Sequence, residues 1–277
     1  MKHFIVSVAT IIALSALVVS CGGDESSSPG VVTTGLSMTG SGQPAVVRTN
    51  FNKIFSLLMP SAIALPPAPL VDSTGTSVTM NDAWIVIKSI EFEANEISDG
   101  SEVDGDEVEL AGPFHVDLLS SLPLSFGDVQ VPASGLRRIK MKLHKVDALP
   151  AGAPAALNNN SIYLTFTRGL ISFTYLSDDT AKFEIGGPNP VVPNNTEDLL
   201  VEIKTADLIK KIDLSGISNG TIITASARFP KATPPCPLIQ PSATDLYTCF
   251  RKGLETQADF GSDDGDFDLD ANDESVD

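Results

Sequence analysis

The chain has 277 residues, 21 glycines, 19 prolines and a formal net charge of -17. That length suits one large β-domain or two small ones and is enough to bury a sizeable core. The negative balance excludes nucleic-acid binding through phosphate neutralisation. Acid is concentrated in two runs without Lys or Arg: ten Asp/Glu in residues 255–277 and nine in residues 91–109.

Lys2 and His3 precede an apolar run over residues 4–19, closed by Ser20-Cys21. The run has the length of a secretory leader and is short for a membrane span. Small Ser20 before Cys21 resembles a bacterial lipobox. That resemblance implies cleavage before Cys21 and acylation of its thiol. Two or three acyl chains anchor firmly, at roughly 0.8 kcal/mol per buried methylene. An ordinary cleaved leader with an incidental cysteine is the alternative. Gly22 rather than Asp follows Cys21; by resemblance to known sorting rules this favours the outer membrane. The lipid would then be the membrane contact.

Residues 21–76 read as a flexible tether, opening Gly22-Gly23-Asp24-Glu25-Ser26. Within it Phe51, Ile54, Phe55, Leu57 and Leu58 fall near helical spacing before Pro60. Such a helix docks on the domain or lies on the membrane surface; a single Lys53 favours docking. Pro66-Pro67-Ala68-Pro69 reads as a stiff extended linker.

The folded domain is expected over residues 77–230. Residues 78–80 and 84–92 are β-branched and aromatic, with both strand faces buried before Glu91 and Glu93 reach water. Residues 93–109 read as a long exposed acidic hairpin with Asp99-Gly100 and Asp104-Gly105 turns. Residues 129–131 form a short strand. The clearest pattern is Arg138-Ile139-Lys140-Met141-Lys142-Leu143-His144. Its period of two gives a half-buried strand with a basic outer ridge. That ridge is either a site for an acidic glycan or head group, or a solvated face folded near the acidic excursion. Residues 162–166 and 171–175 pair through Thr167-Arg168-Gly169, residues 182–185 continue the meander, and Gly186-Gly187-Pro188-Asn189-Pro190 interrupts it. Residues 199–203 are a strand. Residues 205–212 are a short helix capped by Thr205, with Leu208, Ile209 and Ile212 on one face. Residues 222–229 are the last strand. The fold class is therefore all-β, an antiparallel β-sandwich with one or two short helices and disordered ends.

Three phrases in order carry a resemblance: Asp82-Ala83-Trp84-Ile85-Val86-Ile87-Lys88-Ser89-Ile90-Glu91-Phe92, then Gly112-Pro113-Phe114-His115-Val116-Asp117-Leu118-Leu119, then residues 135–143. Over residues 78–214 the chain resembles a family of uncharacterised bacterial lipoprotein domains, of unknown function. The resemblance implies a transthyretin- or immunoglobulin-like sandwich behind a lipobox and no known reaction. It also suggests that Leu118 and Leu119 sit in the core and Asp117 at a turn.

With Cys21 lipidated, Cys236 and Cys249 remain as a pair, and export favours a disulfide between them. Residues 231–254 are then a Pro-rich disulfide loop and residues 255–277 an acidic tail too polar to pack. After processing only His115 and His144 remain, too few for a multi-histidine zinc site. Gly216-Ile217-Ser218-Asn219-Gly220 matches a nucleophile elbow, but a helix precedes and a strand follows, the reverse of what that mechanism needs. Asp266, Asp268 and Asp270 have calcium-loop spacing, with Asp277 at the twelfth position, but Ala271 replaces the turn glycine. The sequence thus points to a non-enzymatic envelope lipoprotein serving binding, adhesion or envelope structure, with a protein or glycan ligand. The alternatives are a calcium-responsive module and a hydrolase built on loop carboxylates.

Overall fold

The computed structural model describes residues 31–40, 70–94, 108–120, 122–133, 135–145, 148–149, 153–180, 182–192, 198–263, 269 and 275. The leader, Cys21, the helical pattern of residues 51–65, the Pro66–Pro69 linker, most of the acidic excursion and Asp266, Asp268 and Asp270 lie outside these residues. The protein is all-β, with two short helices and strands gathered into two sheets around one core.

The organising strand is β3, Ser77–Ala94. Its inward residues are Val78, Met80, Ala83, Ile85, Ile87, Ile90 and Phe92, all buried. Strict alternation would not give that series. Register shifts between Met80 and Asp82, and between Ile87 and Ser89, reset the phase twice. The second irregularity is matched across the sheet in β4, Val108–Asp117, by Gly112. A Cβ on Gly112 would lie 2.6 Å from the Ile87 carbonyl oxygen, so only glycine admits this approach.

β3 is long enough for two partners on one edge. β7 (Ile162–Arg168) pairs with residues 78–85 and β6 (Leu136–Leu143) with residues 87–94. β4 and the two-residue β2 (Leu70–Val71) occupy the opposite edge. β8 (Ile171–Ser177) continues beyond β7 and β9 (Lys182–Val191) beyond β6. β9 runs through Pro188 and Pro190, where the sequence suggested an interruption; as an edge strand it tolerates proline. β11 is only Thr221–Ile223, not residues 222–229, and pairs parallel to β8.

The second sheet corrects two boundaries. β1, Val31–Gly40, lies in the segment read as tether. It is a central strand, antiparallel to β5 (Leu124–Pro132) and parallel to β10 (Asp198–Ile203). Leu36 and Met38 are fully buried, so the folded body includes Val31–Gly40 and does not start at residue 77. β12, Ala258–Asp263, lies in the segment read as too polar to pack; it pairs with β10 and buries Phe260. The parallel pairs β1–β10 and β8–β11 also correct the fully antiparallel expectation.

Helix α1 spans Thr205–Lys210. Leu208, Ile209 and Ile212 are buried as expected, but Thr205 is buried in the first turn and Lys204 holds the cap position. Helix α2, Leu246–Thr256, was not read from the sequence. Asp245 caps it by accepting from the Thr248 amide at 2.8 Å. Leu246, Phe250 and Leu254 form its buried stripe, and Phe250 stacks on Phe166 and Tyr175 at centroid distances of 5.3 and 5.0 Å. Residues 231–254 are therefore not only a loop: Cys236, Cys249 and the buried stripe of α2 belong to the core.

Candidate functional site

The face of the long sheet turned away from the core has two halves of different chemistry. In the first, β6 presents Arg138, Lys140, Lys142 and His144. Register sets Glu93 opposite Arg138, Glu91 opposite Lys140 and Glu184 opposite Lys140 from the other side. The basic ridge is neutralised there. Arg138 and Lys140 pair with Glu93, and Lys142 and Lys182 with Glu91. Glu91 is 8% exposed, which corrects the expectation that it reaches water. Its hydrogen bond from Lys142 outweighs the cost of burial and holds its carboxyl below the ordinary range.

Val86 sits where the two halves meet. His115 is registered opposite it on β4, and the His144 amide donates to the Val86 carbonyl at 3.0 Å on the other edge. His115 and His144 thus flank one buried valine. Burial, and secondarily His144, depress the His115 pKa. Ser89, one step along β3, is buried with its hydroxyl unpartnered among the described residues. Neither histidine gathers enough ligands to hold a metal: among the described residues no three His, Cys, Asp or Glu cluster suitably.

The second half is aromatic and hydroxyl-rich. Two rows cross the strands. Asp117, Trp84, Tyr163 and Leu176 form one, and Asp82, Thr165, Thr174 and Ile222 the next. Directly opposed residues share a face, about 5 Å apart at Cβ. Leu157, in a 3-10 turn at Ala155–Leu157, covers Val86 and leaves Trp84 and Tyr163 half-buried at its margin. Thr165 Oγ1 donates to Asp82 Oδ2 at 2.8 Å. Among the described residues nothing hydrogen-bonds the Trp84 indole, the Tyr163 hydroxyl or the second Asp82 oxygen. Burial, and secondarily the Asp82 charge, push the Tyr163 phenol up, so it stays a donor.

No family model, curated protein or solved structure matches this chain.

Cys236 and Cys249 are joined, with their Cα atoms 5.8 Å apart, and both are fully buried. Ser218 is exposed in the turn between α1 and β11, which agrees with the turn reading of that motif. Asp117 Oδ1 accepts from the Leu119 amide at 3.0 Å at the end of β4; Leu118 is buried and Leu119, expected in the core as well, is only half-buried against it. The small sheet holds carboxylates that the sequence did not single out. Glu202, Asp259 and Asp263 are buried on its outer face; Lys204 pairs with Asp259 at 3.1 Å and the Leu269 amide donates to Glu202 at 3.4 Å. Ser275 bridges to Gly261 on the same strand. Among the described residues no helix is long and apolar enough to cross a membrane.

Proposed function

We propose that this is a bacterial cell-envelope lipoprotein, cleaved after residue 20, acylated at Cys21 and held at the outer membrane. Its two sheets are read as a β-sandwich of the immunoglobulin or transthyretin kind, a non-enzymatic body for binding, adhesion or envelope structure. The supporting observation is the use of cysteine. The chain has three; Cys236 and Cys249 are joined, as suits an oxidising compartment, and the third stands at the end of an apolar leader. The resemblance over residues 78–214 points the same way. Expression in a bacterial host with labelled palmitate tests the reading. The wild-type chain is expected to take up label and sediment with membranes, and Cys21→Ala to do neither. An unlabelled mature chain, or one retaining residues 1–20 in the cytoplasm, would overturn it.

A second reading, a calcium-responsive module, is favoured by one observation. The acid-rich segment that supplies Asp266, Asp268 and Asp270 meets the small sheet at Leu269, on the face that buries Glu202, Asp259 and Asp263, and at Ser275, beside the edge strand β12. Calorimetry with calcium on chains with and without residues 264–277 tests it. Equal and negligible heats would remove it.

A further inference from the structure

The charged half of the outer face satisfies itself; among the described residues the aromatic half does not. Glu91 and Glu93 are matched by Lys142, Lys182, Lys140 and Arg138, so that surface offers a ligand little. Beside it, Trp84 and Tyr163 stand as a registered pair with Leu176 continuing their row, and Asp82, Thr165 and Thr174 fill the next. We propose that this half is a binding platform for a neutral polysaccharide strand. The inference deepens the binding reading above by naming a ligand class, and it does not depend on the anchor.

Three features of the platform select that chemistry. A pyranose ring has C–H-rich faces and a hydroxyl rim, and it needs a flat aromatic floor with polar groups at the edge. The paired strands set Trp84 and Tyr163, both half-buried, side by side at the centre of a row about 14 Å wide over four strands, with Asp117 and Leu176 at its ends. The free Asp82 oxygen accepts from a sugar hydroxyl, the Trp84 indole N–H donates to one, and the Tyr163 hydroxyl can do either. Charge then decides which saccharides fit. None of the outward residues in these two rows is Lys or Arg, and the charges present are Asp82 and Asp117. Phosphate, sulfate and uronate groups meet repulsion here rather than a counter-ion. The Thr165 hydroxyl fixes Asp82 from one side, so the acceptor is held in place before a ligand arrives.

Trp84 is the only tryptophan, so its fluorescence reports on the platform directly. The experiment titrates the full chain in detergent micelles with neutral gluco-, xylo-, manno- and N-acetylglucosamine hexaoses, and with an oligogalacturonate as the anionic probe. A saturable shift with at least one neutral hexaose and none with the anionic one is expected. Asp82→Ala is expected to raise Kd at least about tenfold, with Tyr163→Ala similar or worse. Far-UV circular dichroism and the urea midpoint establish that each variant is folded, and Thr174→Ala offers a milder lesion at the same surface. No shift with any neutral hexaose up to about 10 mM, a response to the anionic probe alone, or wild-type affinity in folded Asp82→Ala and Tyr163→Ala would overturn the proposal. Membrane fractionation of the same preparations reads the anchor separately, so loss of one claim leaves the other standing.

Discussion

Replacing Asp72 by alanine opens the end of the core. The Asp72 side chain is fully inaccessible to solvent. One oxygen accepts from the Thr74 amide at 2.9 Å, the Thr74 hydroxyl at 2.6 Å and the Thr76 amide at 2.9 Å; the other accepts from Arg168 Nε at 2.7 Å. Asp72 therefore closes the β2–β3 turn and holds Arg168, the last residue of β7, where it pairs with Val78 at the start of β3. Burial works to raise its pKa, but the bonds from Thr74, Arg168 and Thr76 outweigh it and hold the carboxyl below its ordinary range. Alanine leaves Arg168, itself largely covered, without its carboxylate. Removing one member of a buried pair costs about 3–5 kcal/mol, and rehydration of the exposed Thr74 favours the lower end. With a urea slope of about 3 kcal/mol/M for a chain of this size, the midpoint should fall by about 1 M at unchanged slope. Asp72→Asn keeps an acceptor for the turn but loses the ion pair, and should cost less. The depressed pKa adds a pH signature. Stability from Asp72 is present above the unfolded carboxyl value and is lost as pH falls through the folded one. Asp72→Asn should therefore flatten the acid limb. A midpoint in Asp72→Ala within about 0.2 M of wild type would refute the reasoning.

Reduction of Cys236–Cys249, or the double serine variant, should cost about 3 kcal/mol by loop closure over a separation of 13 residues, read as a urea midpoint shift. Gly253→Ala sets two effects against each other: alanine favours the helix by about 1 kcal/mol, but its Cβ would lie 2.1 Å from Leu208 Cδ1. Overpacking of this kind costs about 1–3 kcal/mol, so the net change should be destabilising, and a raised melting temperature would refute it. His115 has a folded pKa below its unfolded one, so the unfolded chain binds the proton more readily and stability should fall as pH drops below about 6.5. Proton NMR should find His115 titrating low, and moving upward in His144→Gln. A chain beginning at Ser77 lacks β1 and should fail to fold, whereas one beginning at residue 30 should melt cooperatively; scanning calorimetry distinguishes them.

The long sheet was legible because its strands carry their environment in their period. Ile139, Met141 and Leu143 alternate with charged neighbours, and β7 and β8 do the same around one glycine turn. Where strands escaped notice, composition misled. Val31-Val32-Thr33-Thr34-Gly35-Leu36-Ser37-Met38 has β-branched residues and an inward Leu36 and Met38. It follows a Gly/Ser/Pro stretch and takes on the look of a linker. Ala258–Asp263 contributes one large apolar residue, Phe260; its pairing with β10 is nonlocal and leaves no periodic trace. α2 had readable signs, Asp245 as cap and Leu246, Phe250 and Leu254 at helical spacing, but the Pro-rich residues before it suggested a loop. The pairing of Trp84 with Tyr163 was out of reach for a different reason. It depends on register across 79 positions of sequence, set by the irregularity in β3 between Met80 and Asp82 that no local pattern marks.

β1 opens the described body and lies between β5 and β10, hydrogen-bonded on both flanks. Val31 stands ten positions after Cys21. A pull on Val31 directed along β1 loads both of these ladders. Both ladders then resist in shear, many bonds strained at once, instead of parting one by one as they would if an edge strand were peeled away. Against a load of that direction β1 is held by two ladders, where an edge strand would have one.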